Sequence, residues 1–240
     1  MKTNKYIQYP LSILILTLFI NISVANAQIS EQFFIINDTS MSNDCKLNAK
    51  VLFPKLIAGF ELQKYPNKGV SIRTSICGEG RVPEVGIADL PKAETSFFGG
   101  SPNKRKQEMY RFLAKAKKNI DELSEHDCNE TQTNLYRTIT YLSKFYKKSS
   151  QKTLLILSDM AEYSSVFSAE RYQNSPSRLL SDYDKILKLF QKDSALPDLA
   201  DVKVIIVNPM NSDWLLYLSR FWEKFFRTCG AESVEVRTVF

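Results

Sequence analysis

Oxygen-bearing side chains at short fixed spacings hold hard divalent cations, and this 240-residue chain carries one such spacing near its start. The apolar run Phe33-Phe34-Ile35-Ile36 leads into Asn37-Asp38-Thr39-Ser40-Met41-Ser42, an Asp-x-Ser-x-Ser pattern at the end of a strand candidate. Two more oxygen donors stand at corresponding places downstream. Thr133 lies in Thr131-Gln132-Thr133-Asn134-Leu135-Tyr136, where a helical pattern begins, and Asp159 follows the apolar stretch Leu154-Leu155-Ile156-Leu157. Mg²⁺ prefers oxygen ligands in octahedral geometry and keeps several waters, and Mn²⁺ or Ca²⁺ accept a similar set. Ser40, Ser42 and Thr133 carry hydroxyls and Asp38 and Asp159 carboxylates, donors of the type such ions take. Thr131 offers the same hydroxyl two residues away. Thr133 is preferred because Asn134-Leu135-Tyr136 follows it as the helix begins.

Other chemistries find fewer parts. A phosphatase that uses aspartate as nucleophile needs a second Asp two residues on, and that position is Ser40. A Ser or Cys nucleophile needs a base, and the one histidine, His126, sits in the polar stretch Ser124-Glu125-His126-Asp127-Cys128. There is no GxxxxGK[ST] loop and no GxGxxG after a strand. No catalytic residue is assigned and the chain is read as a non-enzyme. A metal-dependent hydrolase using the same acidic pocket is the alternative.

These residues need a scaffold that gathers them. Short β-rich runs alternate with longer helical patterns, the signature of a doubly wound α/β domain. The strand candidates are 33–37, 70–76, 84–89, 153–158, 202–207 and 233–237. The continuously apolar runs Leu154 to Leu157 and Val204 to Val207 suit central parallel strands covered on both faces. Helices are expected after Ser101-Pro102, with Met109, Leu113, Ala116, Ile120 and Leu123 on one stripe, and after Thr133, with Leu135, Ile139, Leu142 and Tyr146. A third opens at Ser175-Pro176, and a fourth runs from about Ser212 to Thr228 and ends at Gly230. Pro54 kinks a first helix within 44–63 or begins its second half.

The order Asp-x-Ser-x-Ser, then Thr, then Asp after the fourth strand resembles the metal-ion-dependent adhesion site of von Willebrand factor A domains, across nearly all of residues 28–240. The resemblance implies a mostly parallel six-stranded sheet of order 3-2-1-4-5-6 with helices on both faces and the third strand antiparallel at one edge. It implies a core of Ile35, Ile36, Ile72, Leu155, Ile156, Ile205 and Ile206. It also implies a metal shell of Asp38, Ser40, Ser42, Thr133 and Asp159, and a partner protein whose carboxylate completes that shell. The family usually has Gly after the last Asp. Here Met160 stands there, with Glu162 adding charge nearby. On that fold Cys45, Cys77 and Cys128 fall near the metal face and Cys229 at the opposite one, so one disulfide is expected from the first three, with Cys77 as a member.

Residues 1–27 combine Lys2 and Lys5, an apolar run from Leu11 to Ile20 and Ala25-Asn26-Ala27, which predicts a secretory signal cleaved before Gln28. Its removal takes away two lysines and no acid, so the formal charge falls from +6 to +4. That mild excess does not demand a nucleic acid. An exported protein, in the periplasm rather than fully secreted, with no membrane insertion after cleavage, is expected. Four cysteines then meet an oxidising compartment, where disulfides form. Lys104, Arg105, Lys106, Arg111 and Lys115 gather on one helix, followed by an acidic run. They make a solvated face or a docking patch, the latter serving a metal-free scaffold.

Overall fold

The computed structural model describes residues 29–40, 47–78, 85–93, 101–127, 130–148, 150–208 and 212–238. The predicted signal (residues 1–27), Ser42, Cys45 and Cys128 lie outside them.

One sheet organises these residues. Strands β1 (Glu31–Asp38), β2 (Val70–Cys77), β3 (Val85–Leu90), β4 (Gln151–Leu157), β5 (Val202–Val207) and β6 (Ser233–Arg237) lie in the order β3-β2-β1-β4-β5-β6. All neighbours are parallel except β2 and β3. The central strands are apolar on both faces because both faces are covered. Phe34, Ile36, Leu154, Ile156, Val204 and Ile206 turn to one side, under α3 (Leu135–Ser143), α4 (Ser177–Ser181), α5 (Tyr183–Asp193) and α6 (Asp213–Thr228). Phe33, Ile35, Ile72, Leu155 and Leu157 turn to the other, under α1 (Ala49–Gly59) and α2 (Pro102–Glu125). Of the expected core, Ile205 alone is only half-buried. It lies on β5 next to the edge strand, where helix cover ends.

Three local features differ from, or sharpen, the sequence reading. The third helix divides into α4 and α5 at Asp182 (φ −89°, ψ 8°), whose carboxylate accepts from Tyr172 Oη (3.3 Å) and Lys185 Nζ (2.8 Å). Helix α1 runs through Pro54 without a break, and Pro54 lies on its exposed side. Helix α6 starts at Ser212, whose Oγ accepts from Leu215 N (3.3 Å), and stops before Gly230, whose φ of +91° is the left-handed conformation that glycine adopts without penalty.

The antiparallel β3 is what aims α2. It pairs Leu90 with Val70 and so delivers the chain to the amino end of the parallel strands. From there α2 climbs to the carboxyl end, where Leu123 O accepts from Asn37 Nδ2 (3.1 Å). Its upper end therefore stands beside the loop that follows β1.

Candidate functional site

Asp38 is the last residue of β1 and is fully buried. Its Oδ1 accepts from Ser40 N (2.9 Å), closing a tight turn, and its Oδ2 accepts from the hydroxyl of Ser158 (2.5 Å) at the end of β4. Burial pushes its pKa up to about 6 against the lowering effect of these hydrogen bonds, and the charge of Asp159 adds to the rise. Taking a carboxylate out of water disfavours its charged form, so this position gains from any cation placed beside it.

The second segment arrives through backbone pairing. Ser40 forms a parallel bridge with Glu130, and Glu130 N donates to Thr39 O (3.2 Å). Gly78, just past β2, makes this approach possible: a Cβ there would stand 2.8 Å from Glu130 Cγ. The carbonyl of Gly78 accepts from Asn134 Nδ2 (3.1 Å), which fixes the start of α3 over the end of β2. Thr133 is buried and Thr131 exposed, so the structure gives the inward position to Thr133.

The third segment is Ser158 to Glu162. Thr133 and Tyr163 exchange two backbone hydrogen bonds of 3.0 Å each, tying the entry of α3 to the loop that carries Asp159. Asp159 Oδ1 accepts from Ala161 N (2.9 Å), and its carbonyl accepts from Asn208 Nδ2 (3.2 Å). Met160 has φ +66°, the left-handed conformation in which glycine is at ease and most residues are strained. Three contacts hold it there. Its N–H donates to Ser158 Oγ (2.8 Å), its carbonyl accepts from Trp222 Nε1 (2.8 Å) on α6, and its side chain is buried in the core beneath α3 to α6. The residue that departs from the expected glycine thus keeps the glycine-like backbone.

Glu162 does more than add charge. Its Oε2 accepts from Tyr136 N (3.0 Å) in the first turn of α3, satisfying one of the donors that a helix start leaves open. Burial, with Asp38 contributing, pushes its pKa up to about 7. An acid shortly after a strand-end Asp was visible in the sequence; that it caps a helix 26 residues earlier was not.

Two sequence expectations change here. Cys77 is a free, fully buried thiol pushed well above its usual pKa by burial and by the charges of Asp38 and Glu162, and Cys229 is also free. The expected disulfide through Cys77 is therefore corrected. Its side chain points into the core under Thr138 of α3, where no second cysteine among the described residues reaches. Arg105 leaves the proposed docking patch for a structural role. Its guanidinium donates to the carbonyls of Pro66 (2.7 Å), Pro91 (2.7 Å) and Lys68 (2.8 Å) and pairs with Glu108 (3.2 Å). Lys104, Lys106, Arg111 and Lys115 remain exposed on α2, without ion pairs among the described residues. His126 is exposed in the turn after α2.

The segments that carry Asp38, Ser40, Thr133 and Asp159 are therefore tied together at the carboxyl end of the sheet, where the loops of an open α/β domain collect its ligands. Among the described residues no three His, Cys, Asp or Glu side chains come together as a metal cluster. The donors are carboxylates and hydroxyls, a set that fits a hard cation retaining water rather than zinc or copper.

No protein-family model and no curated protein matches the chain. Solved structures do. A conserved hypothetical protein, BatB, from Bacteroides thetaiotaomicron is similar with TM-score 0.41 and 7% identity, over 88% of this chain and 92% of that one. An aerotolerance-related membrane protein from Bacteroides fragilis, carrying multiple mutations to serine, gives TM-score 0.38 and 9% identity, over 87% and 92%. Among the described residues no helix is long and apolar enough to cross a membrane.

Proposed function

We propose that this chain is a binding module resembling von Willebrand factor A domains, which holds Mg²⁺ at the carboxyl end of its sheet and through it binds a partner protein. The observation that carries this reading is that the segments bearing Asp38, Ser40, Thr133 and Asp159, up to 93 residues apart in sequence (Ser40 to Thr133), are tied together beside a buried carboxylate whose pKa is raised to about 6. Ser42, two residues after Ser40 in the sequence, would complete the hydroxyl set. The cation would stand beside the buried Asp38 carboxylate and present an open coordination position. An acidic side chain of the partner is the ligand of matching chemistry. The working environment is an envelope or surface assembly reached by export, with the periplasm favoured by the form of the leader. The protein is not assigned a catalytic role.

Calorimetric titration of the chain without residues 1–27 with Mg²⁺ and with Mn²⁺, beside the Asp38→Ala variant, tests this. Heat of binding that vanishes in the variant supports the site. Absence of heat in the parent protein at metal up to about 10 mM, roughly tenfold above the weak end of such oxygen sites, overturns the metal reading.

A further inference from the structure

The sheet ends at β6. No strand or bridge among the described residues pairs with its outer side, and its two valines are half-buried. Hydrogen bonds at the top of the ladder fix which backbone groups face outward. Ser158 N donates to Val207 O (3.3 Å), so the odd residues of β5 serve β4 and its even residues are left for β6. Asn208 N accordingly donates to Arg237 O (2.9 Å). With Val207 opposite Arg237, residues 233, 235 and 237 turn their backbone groups to β5, and Val234 and Val236 each present an N–H and a C=O to the outside. We propose that this edge docks β6 of a second copy of the chain, antiparallel across a two-fold axis at Val236, so that the two six-stranded sheets become continuous.

Backbone phase and charge select that occupant and its register. Outward-facing residues must stand opposite outward-facing residues, which leaves two-fold registers centred on Val234, Glu235 or Val236. The first sets Glu235 against Ser233 and leaves Arg237 against Ala231. The second sets Glu235 against its own copy, a like-charge pair that destabilises a sheet. The third sets Glu235 against Arg237 of the second copy, twice, while the two Val236 residues exchange a pair of backbone hydrogen bonds. The side chains are already placed for it. Glu235 and Arg237 share one face of the strand, and the guanidinium donates to the carboxylate beside it (2.8 and 2.7 Å). Pairing gives each guanidinium a second carboxylate and takes none away. On the other face Val236, at the margin of the core beneath α6, gains its own copy as an apolar neighbour. Exposed ion pairs contribute little energy, so the main-chain bonds and valines supply affinity and the charges fix the register. One short strand makes a small interface, so association is concentration-dependent.

Sedimentation equilibrium of the chain without residues 1–27, at concentrations up to the order of 0.1 mM, should show a monomer–dimer equilibrium. Glu235→Arg and Arg237→Glu, each of which sets like charges across the axis, should weaken self-association at least tenfold. An equimolar mixture of the two variants should recover a heterodimer, an outcome that no effect within one chain produces. Val236→Pro removes an outward N–H and no bond to β5, and should abolish association with the circular dichroism spectrum unchanged. Asp38→Ala should associate like the parent, which keeps this interface separate from the metal reading. Glu235→Cys and Arg237→Cys proteins should form a disulfide with each other, located by peptide mapping, in preference to either with itself. A monomer throughout the range overturns the proposal. If the Val234 and Val236 amides of that monomer are protected from hydrogen exchange, the edge belongs to a segment of the same chain outside the described residues. A dimer that Val236→Pro and both charge variants leave intact sits on another surface and overturns it equally, and preferential cross-linking of Glu235→Cys with itself overturns the register.

Discussion

Replacing Met160 by glycine sets two effects of known sign against each other. The backbone at φ +66° favours glycine: a residue with a Cβ pays roughly 1–2 kcal/mol in the left-handed region. Against this, Met160 is fully buried among the side chains of α3 to α6, and truncating a buried Met typically costs about 2–5 kcal/mol. Glycine also adds unfolded-chain entropy, about 0.5–1 kcal/mol. Met160→Gly should therefore destabilise by about 2–4 kcal/mol despite its better backbone fit. Met160→Ala loses the side chain and keeps the strain, so it should be the less stable of the two by some tenths of a kcal/mol to about 1 kcal/mol. Urea unfolding at pH 7.4 in EDTA, with equal m-values for the three proteins, measures both differences. A glycine variant as stable as the parent would refute the packing account, and an alanine variant more stable than glycine would refute the strain.

Glu162 gives a pH signature. Its pKa is about 7 in the folded state against 4.5, so the native state binds the proton more tightly; stability from this group is present below pH 4.5 and lost as pH rises through 7. A shift of that size corresponds to about 3 kcal/mol, so Glu162→Gln, which keeps an acceptor for Tyr136 N, should flatten the pH dependence and exceed the parent in stability at pH 8 while matching it at pH 4.5 in EDTA. Arg105→Lys keeps the charge but cannot serve three carbonyls in a fork, and should lower stability by about 1–3 kcal/mol; an unchanged urea midpoint would show the clamp to be idle. Non-reducing peptide mapping after alkylation in denaturant should find Cys77 and Cys229 as thiols and join Cys45 to Cys128. The bridge between Ser40 and Glu130 joins the described segments that precede Cys45 and follow Cys128. A disulfide containing Cys77 would contradict its burial.

Much of this fold was readable because its central strands need apolar residues on both faces. Phe33 to Ile36, Leu154 to Leu157 and Val204 to Val207 announce themselves whatever surrounds them. Alternation with amphipathic helices then gave the class, and the resemblance gave the order 3-2-1-4-5-6 that the sheet adopts. What escaped depends on distant partners. Asp182 breaks a continuous apolar stripe through its contacts with Tyr172 and Lys185. Arg105 reads as one more surface cation because the carbonyls it binds belong to no residue type that marks them. Cys77 looked available at a strand end, yet the strand's alternation turns it inward. At the candidate site the Asp-Ser, Thr and Asp positions were legible from their places beside strand ends and a helix start. The capping by Glu162 and the left-handed turn at Met160 were not, since both are set by α3 and α6 packing against the loop.

The hydrogen bond from Trp222 to Met160 O has an optical consequence. The chain contains two tryptophans. Trp214 is half-exposed near the start of α6, while Trp222 is fully buried with its indole N–H bound one residue from Asp159. Emission from the buried indole belongs at the blue edge of the spectrum and responds to any shift of the carbonyl it holds. A Trp214→Phe protein would thus report events at Asp159 through its own fluorescence, without a label and in a cuvette, on the time scale of stopped-flow mixing.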